Sequence, residues 1–116
     1  MRDIKFKAYY PTLGLSEPFK LGEYPKWGNE TLSYWSDRCI FEQFTGLLDK
    51  NGKDVYEGDI VRTKHKYNKE VNVGLVYFEN FQWFCAGDYM AYAEEYCVIE
   101  IIGNKHSTPE LLEAKT

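Results

Sequence analysis

The opening residues alternate. Ile4, Phe6 and Ala8 interleave with Asp3, Lys5 and Lys7, the period-two pattern of a strand with one buried face. From Pro11 to about Trp35 the pattern breaks up, because Pro11, Gly14, Pro18, Gly22, Pro25 and Gly28 recur every few residues and exclude any long element. Tyr9, Tyr10, Leu13, Leu15, Phe19, Tyr24, Trp27 and Trp35 run through this region. So much apolar surface is expected to lie ordered over the domain or to face a partner. Residues 39–44 read as a short strand. Asn51-Gly52 then marks a tight hairpin, both residues tolerating positive φ. Asp54-Val55-Tyr56 follows, with a second turn at Glu57-Gly58.

Between residues 59 and 66, Val61, Thr63 and His65 share one face of a strand, and Arg62, Lys64 and Lys66 share the other. Val71, Val73, Leu75 and Tyr77 alternate with Glu70, Asn72, Gly74 and Val76 in the next strand. Glu79-Asn80 is its turn, and residues 82–86 return as its partner. Residues 89–95 fit either a connection or a short helix. Residues 96–102 are the most apolar run and read as a central strand. Ser107, Pro109 and Glu110 spell a helix start, with a hydroxyl cap, proline in the first turn and Glu three positions after the serine. Leu111 and Leu112 are placed to dock that helix on the sheet. The reading is one domain, mainly β.

Composition agrees. The 116 residues and 13.6 kDa suit one domain, and 44% hydrophobic with 17% aromatic content excludes a disordered chain. Ten Tyr, seven Phe and three Trp against two Met favour sheets, on which rings pack well. No apolar run approaches the ~20 residues of a bilayer span. The start, Met1-Arg2-Asp3-Ile4-Lys5-Phe6-Lys7, is too polar for a secretory signal, so a cytoplasmic location and no membrane partner are expected.

Charge narrows the function. Fourteen Lys and Arg against eighteen Asp and Glu leave a net charge of −4 and a pI near 5.2, a poor balance for a non-specific nucleic-acid binder. It is unevenly spread. Residues 1–78 hold 12 basic and 11 acidic groups, a net of +1, whereas residues 79–116 hold 2 and 7, a net of −5.

The candidate chemistry is sparse. Cys39, Cys85 and Cys97 stand far apart without a CxxC pair, and His65 and His106 are the only histidines. That spacing points to buried free thiols rather than a metal site. Asp49, Asp54, Glu57 and Asp59 do not follow a calcium-loop pattern and suit turn chemistry, although a hydrolytic or metal-assisted site is the enzyme alternative. Neither a GxSxG elbow nor a phosphate-binding glycine motif occurs, and His65 reads as structural or solvated. The basic segment has better credentials. Arg62, Lys64, Lys66, Tyr67 and Lys69, with Trp83 on the following hairpin, offer the cations and stacking rings used on single-stranded nucleic acid. The competing reading is a solvated hairpin whose lysines keep an edge strand from pairing with other chains, and the negative total charge favours it.

Three segments together carry a resemblance: Met1-Arg2-Asp3-Ile4-Lys5-Phe6-Lys7-Ala8-Tyr9 at the start, residues 43–61 (QFTGLLDKNGKDVYEGDIV) in the centre, and Val98-Ile99-Glu100-Ile101-Ile102-Gly103-Asn104 with Thr108-Pro109-Glu110-Leu111-Leu112 at the end. In this order they resemble the YopX-like proteins of phages and prophages. The resemblance implies a small SH3-type β-roll or barrel, and the reading of the residues adds to it an N-terminal strand, an irregular aromatic-rich arm and a short C-terminal helix; the aromatic-rich stretch from Tyr10 to Trp35 and the segment from Tyr89 to Tyr96 depart from the family's pattern. The single domain is expected to divide into strand and arm (1–38), β-roll (39–105) and tail (106–116). It brings no catalytic residue and no cofactor. The expectation is therefore a phage or prophage accessory protein in the bacterial cytoplasm that binds a host or phage protein without catalysis. Self-association through residues 10–35 is also expected, because it would cover sheet edges and rings by symmetry.

Overall fold

Two antiparallel sheets carry the fold, and the computed structural model describes residues 4–20, 23 and 39–113. The first sheet contains β1 (Lys5–Tyr10), β2 (Gly14–Leu15), β3 (Phe19–Lys20), β4 (Ile40–Leu48) and β5 (Asp54–Tyr56), in the order β2-β1-β4-β5 with β3 also paired to β1. The second contains β6 (Asp59–His65), β7 (Val71–Glu79), β8 (Gln82–Cys85), β9 (Asp88–Tyr89) and β10 (Cys97–Asn104), in the order β10-β6-β7-β8-β9. Helix α1 (Met90–Tyr96) links β9 to β10, and α2 (Glu110–Glu113) follows β10. The sheets curl into a half-barrel, mainly β with a short C-terminal helix, as an SH3-type roll requires. Most of the aromatic-rich segment between Tyr10 and Trp35 lies outside the described residues; the part described, up to Lys20, folds back along β1.

The core follows from alternation. Leu47, Val55, Val61, Val76, Cys85, Met90, Ala93, Cys97 and Ile99 are buried together, drawn from both sheets and from α1. On β6, Val61 and Thr63 point inward while Arg62 and Lys64 stay exposed, as their alternation predicts. On β7 the face is the reverse of what the valines suggest. Gly74 and Val76 are buried, whereas Val71 is half exposed opposite Lys64. Register decides this, because Gly74 pairs with Val61 and Val76 with Cys85, both core residues. A Cβ on Gly74 would stand 2.8 Å from the Cα of Ala86, so glycine is needed where the β8–β9 turn lies on β7.

Several local expectations shift. The strand expected at 39–44 runs on to Leu48, with a register irregularity between Phe44 and Leu48. The ambiguous stretch at 89–95 resolves into the end of β9 at Tyr89 and a helix, Met90–Tyr96, that takes in the first residue of the strand expected at 96–102. Asn51-Gly52 does occupy a turn, but only Gly52 takes a positive φ, because a hydrogen bond from Gly52 N–H to the Asp49 carbonyl makes Lys50 and Asn51 the central residues. At the C-terminal helix the hydroxyl of Thr108, rather than Ser107, stands before Pro109, and it accepts from the Asn104 N–H at 3.0 Å. Leu111 docks over Gly103 as expected.

The strand at 97–104 is not central: β10 ends its sheet. Its outer edge is nevertheless occupied. Lys50 N–H donates to the Ile99 carbonyl at 2.8 Å, and Ile101 N–H donates to Asp49 Oδ2 at 3.1 Å. The other Asp49 oxygen accepts from the N–H groups of Asn51 and Lys53, each at 2.9 Å. The β4–β5 turn thus pairs with β10 in place of a sixth strand. Burial works to raise the Asp49 carboxyl, but the N–H groups of Lys53, Ile101 and Asn51 outweigh it and hold the pKa below the usual aspartate value.

Replacing Asp49 with Ala orphans three backbone donors and should lower the unfolding free energy by about 3 kcal/mol, given ~1.5–3 kcal/mol per bond to a charged group and incomplete additivity. Because the folded pKa lies below the unfolded value of about 3.9, this stability is present above that pH and is lost as pH falls through the folded pKa. Urea unfolding should therefore show the gap between wild type and Asp49→Ala narrowing below about pH 4. A gap independent of pH would contradict a charged acceptor.

Candidate functional site

Of the four turn carboxylates, three serve the backbone or a neighbouring cation. Asp49 is bound as above. Asp54 pairs with Lys5 Nζ at 2.7 Å. Asp59 is buried and accepts from Tyr56 N–H at 2.8 Å and from Asn104 Nδ2 at 3.4 Å. Burial raises its carboxyl, with those bonds partly opposing. Among the described residues no group of three His, Cys, Asp or Glu side chains could hold a metal ion. Cys85 and Cys97 are free thiols and buried, and Cys39 is half-buried. Burial first, then Cys97 and Asp88, pushes the Cys85 thiol up to about 12, which leaves it a poor nucleophile.

A buried acid–imidazole pair was not foreseen. Glu42, on β4, is 1% exposed, and its Oε2 lies 2.9 Å from His106 Nε2 and 3.9 Å from Lys105 Nζ. The ring of Tyr9 stacks on His106 with centroids 3.8 Å apart. Gly58, at φ +87°, passes so close that any side chain there would strike the Glu42 carboxylate. Glu42 Oε1 is buried with no hydrogen-bond partner among the described residues. The pair ties the first sheet to the segment after β10. Burial raises the Glu42 carboxyl above its usual value, against the His106 hydrogen bond and the charges of His106 and Lys105.

The basic segment disperses. Arg62 pairs with Glu100, the Lys66 ammonium sits on the Glu95 carbonyl at 3.1 Å, and the Lys69 ammonium sits on the Lys66 carbonyl at 2.9 Å. Lys64 faces outward beside Val71 and Val98. Tyr67 is 77% exposed at the hairpin tip. His65 Nδ1 accepts from the Tyr67 and Asn68 N–H groups at 3.2 Å, a turn-forming role in keeping with the structural reading. Trp83 does not join them. It falls on the same face as buried Cys85, packs against the core and meets Phe78 edge-on at 5.0 Å.

The rings gather instead around the β7–β8 hairpin. Its turn lies one residue beyond the expected Glu79-Asn80: Asn80 and Phe81 are the central pair, at φ +52° and +63°, with Glu79 opposite Gln82. Positive φ at both positions is what a two-residue hairpin demands, yet Phe81 carries a bulky side chain there and is 94% exposed. Below it runs a groove of about 240 Å³ lined by Leu47, Phe81, Trp83, Tyr89, Met90 and Glu94 among others. On the opposite face of the hairpin Tyr77 stacks on Phe84 with centroids 5.0 Å apart, and Tyr89, on the edge strand β9, reaches Phe84 at 5.1 Å as well as lining the groove.

These features define a class: a small curled-sheet protein in which buried carboxylates hold the sheets together and aromatic rings cluster at one hairpin. The chain belongs to the YopX family, whose model, described as YopX protein, matches residues 17–113. No curated protein matches it at a significant level. Among solved structures it is similar to the crystal structure of protein EF1440 from Enterococcus faecalis, at 22% identity and a TM-score of 0.61, over 97% of this chain and 99% of that one. That likeness concerns the fold alone. No helix among the described residues is long and apolar enough to cross a membrane.

The Glu42 pair yields a pH signature. A folded pKa raised above the unfolded value of about 4.3 contributes stability that is complete below that value and lost as pH rises through the folded pKa. The Glu42→Gln variant should lack this loss, so its stability relative to wild type should climb as pH rises from about 4 to 8 in urea unfolding. A flat difference would show that Glu42 titrates normally.

Proposed function

We propose that this YopX protein is a non-catalytic binding module of phage or prophage origin, acting inside a bacterial cell, and that the β7–β8 hairpin is its contact surface. One observation carries the reading: Phe81 is almost fully solvated in a backbone conformation that disfavours it. A bulky residue at positive φ costs about 1–2 kcal/mol relative to glycine, and an exposed ring returns nothing to the core. Such a residue is accounted for by a contact made outside the chain. Trp83, Tyr89 and Met90 supply the floor and wall of an anchor site.

Charge points to the partner. Glu94 lines the groove, Glu79 precedes the turn, and residues 79–116 carry a net of −5 from 2 basic and 7 acidic groups. The complementary partner is a protein segment that places an apolar or aromatic side chain beside Lys or Arg. Nucleic acid is disfavoured by the same charge and by the commitment of Arg62, Lys66 and Lys69 to acceptors within the chain.

The Phe81→Gly variant separates contact from folding. Relief of backbone strain should stabilise the protein by about 1 kcal/mol, while selection of basic–aromatic sequences from a random peptide library should be lost. Equal selection by both proteins, or enrichment of acidic peptides, would overturn the reading. In a parallel arm with single-stranded oligonucleotides, binding with a log–log salt slope of about −0.7 per phosphate that disappears in Lys64→Glu/Lys66→Glu would transfer the function to nucleic acid.

A further inference from the structure

The outer face of the second sheet carries a patch of a different kind from the hairpin's. Register sets Val98, Lys64 and Val71 side by side on β10, β6 and β7, with Glu100, Arg62 and Val73 in the next row. Val71, Val98 and Lys64 are exposed, and with Lys50, Arg62 and Glu100 they line a recess of about 440 Å³. Further along the same face the sheet is covered: Ile60 is fully buried, and Leu111 of α2 lies over Gly103. No described element covers the row at Lys64.

The patch is cationic and apolar at once. Arg62 and Lys50 share Glu100, whereas Lys64 has no hydrogen-bond or ion-pair partner among the described residues. Three cations against one carboxylate give the recess a net charge of +2. Lysine often guards an open sheet edge, but β6 lies between β10 and β7 and has no edge to guard. Exposed valines beside an unpaired ammonium are complementary to an apolar group beside a carboxylate. The β7–β8 hairpin offers that combination: the solvated Phe81 ring, Glu79 before its turn and Glu94 in its groove. Val71 begins β7 and Glu79 ends it, so about 27 Å of strand separates the two patches, at ~3.4 Å per residue. One molecule cannot bring them together.

We infer that the partner seated on the hairpin is a second copy of this chain, whose sheet face receives Phe81 between Val71 and Val98 and sets Lys64 against Glu79 or Glu94. This rests on the hairpin reading and names its partner. The sheet face supplies what that reading requires, apolar side chains beside Lys and Arg. Because the two patches differ, copies either exchange both contacts in a closed pair or join head to tail. Both patches are small, so the association is weak and sensitive to salt.

Sedimentation of the full chain at low salt is the test, run from about 10 to 500 µM protein, the range in which a small interface becomes populated. The mass should rise with concentration above the monomer's 13.6 kDa and return to it at high salt. Lys64→Glu should weaken association at least about tenfold, because it sets like charges together. Phe81→Gly should weaken it by removing the docked ring. Mixing is decisive. Lys64→Glu keeps an intact hairpin and Phe81→Gly an intact sheet face, so the two variants, each monomeric alone, should pair one to one. Lys64→Gln should fall between wild type and Lys64→Glu, and it carries the test if the Glu substitution perturbs the sheet. Assembly undiminished in Lys64→Gln, or variants that fail to pair on mixing, would overturn the inference. A wild type that selects basic–aromatic peptides yet stays monomeric throughout overturns it as well, and leaves the hairpin reading standing. Assembly undiminished in Phe81→Gly, with peptide selection equally unchanged, removes both.

Discussion

The carboxylate of Asp49 is the joint on which the two sheets turn. A short β-sheet protein must close its edges, since an open strand presents unpaired N–H and C=O groups to solvent or to other chains. Here β10 ends its sheet, and the β4–β5 turn supplies the missing partner through one backbone bond and one side-chain acceptor. The same carboxylate fixes the turn by taking two of its own N–H groups. One residue therefore sets the hairpin, covers the edge and positions the first sheet against the second.

Two opposite electrostatic solutions coexist in this small core. Asp49 is buried but supplied with three donors, so its charge is the stable form. Glu42 is buried with one oxygen unsatisfied, so burial prevails and the protonated form gains. The contrast comes from backbone supply: turns release N–H groups that a side chain can collect, whereas the middle of a strand has already spent its own on the ladder. Tyr56, close by, shows the same pressure. Burial, with Asp54 and Asp59 adding to it, pushes its hydroxyl up to about 12.

Much of this was legible in the residues. The strands at Lys5–Tyr10 and Asp59–His65 follow period-two alternation, and the turn at 49–53 and the helix after Pro109 follow local residue chemistry. Where the reading failed, the cause was pairing between distant segments. On β7 both faces carry apolar residues, so alternation cannot choose between Val73 and Val76; register against Val61 and Cys85 does. The apolar run at 97–104 looked central because its outer edge is covered by a turn fifty residues earlier in the chain. The turn after Glu79 was misplaced by one residue because phenylalanine is a poor indicator of positive φ. Glu42 did leave a trace, as a charged residue flanked by Ile40, Phe41 and Phe44, but its partner His106 lies 64 positions away.

Helix α1 stands between two concave surfaces in the C-terminal half. It is seven residues long, buries Met90 and Ala93 in the core, and has no acidic residue in its first turn and no basic one in its last. Ala91 and Glu94 line the groove beneath the aromatic hairpin, and Tyr92 lines a cleft on the other side with His65, Gly87 and Asp88. A helix this short contributes little stability of its own, so its place is set by the sheet beneath it, and through β10 by the Asp49 joint. Glu94 and Asp88, two of the seven acidic residues between 79 and 116, line these two surfaces, and a turn at each holds a residue in a strained conformation, Phe81 at one and Ala86 at the other. Both turns keep a side chain at positive φ where glycine would be the unstrained residue, so neither is optimised for stability alone.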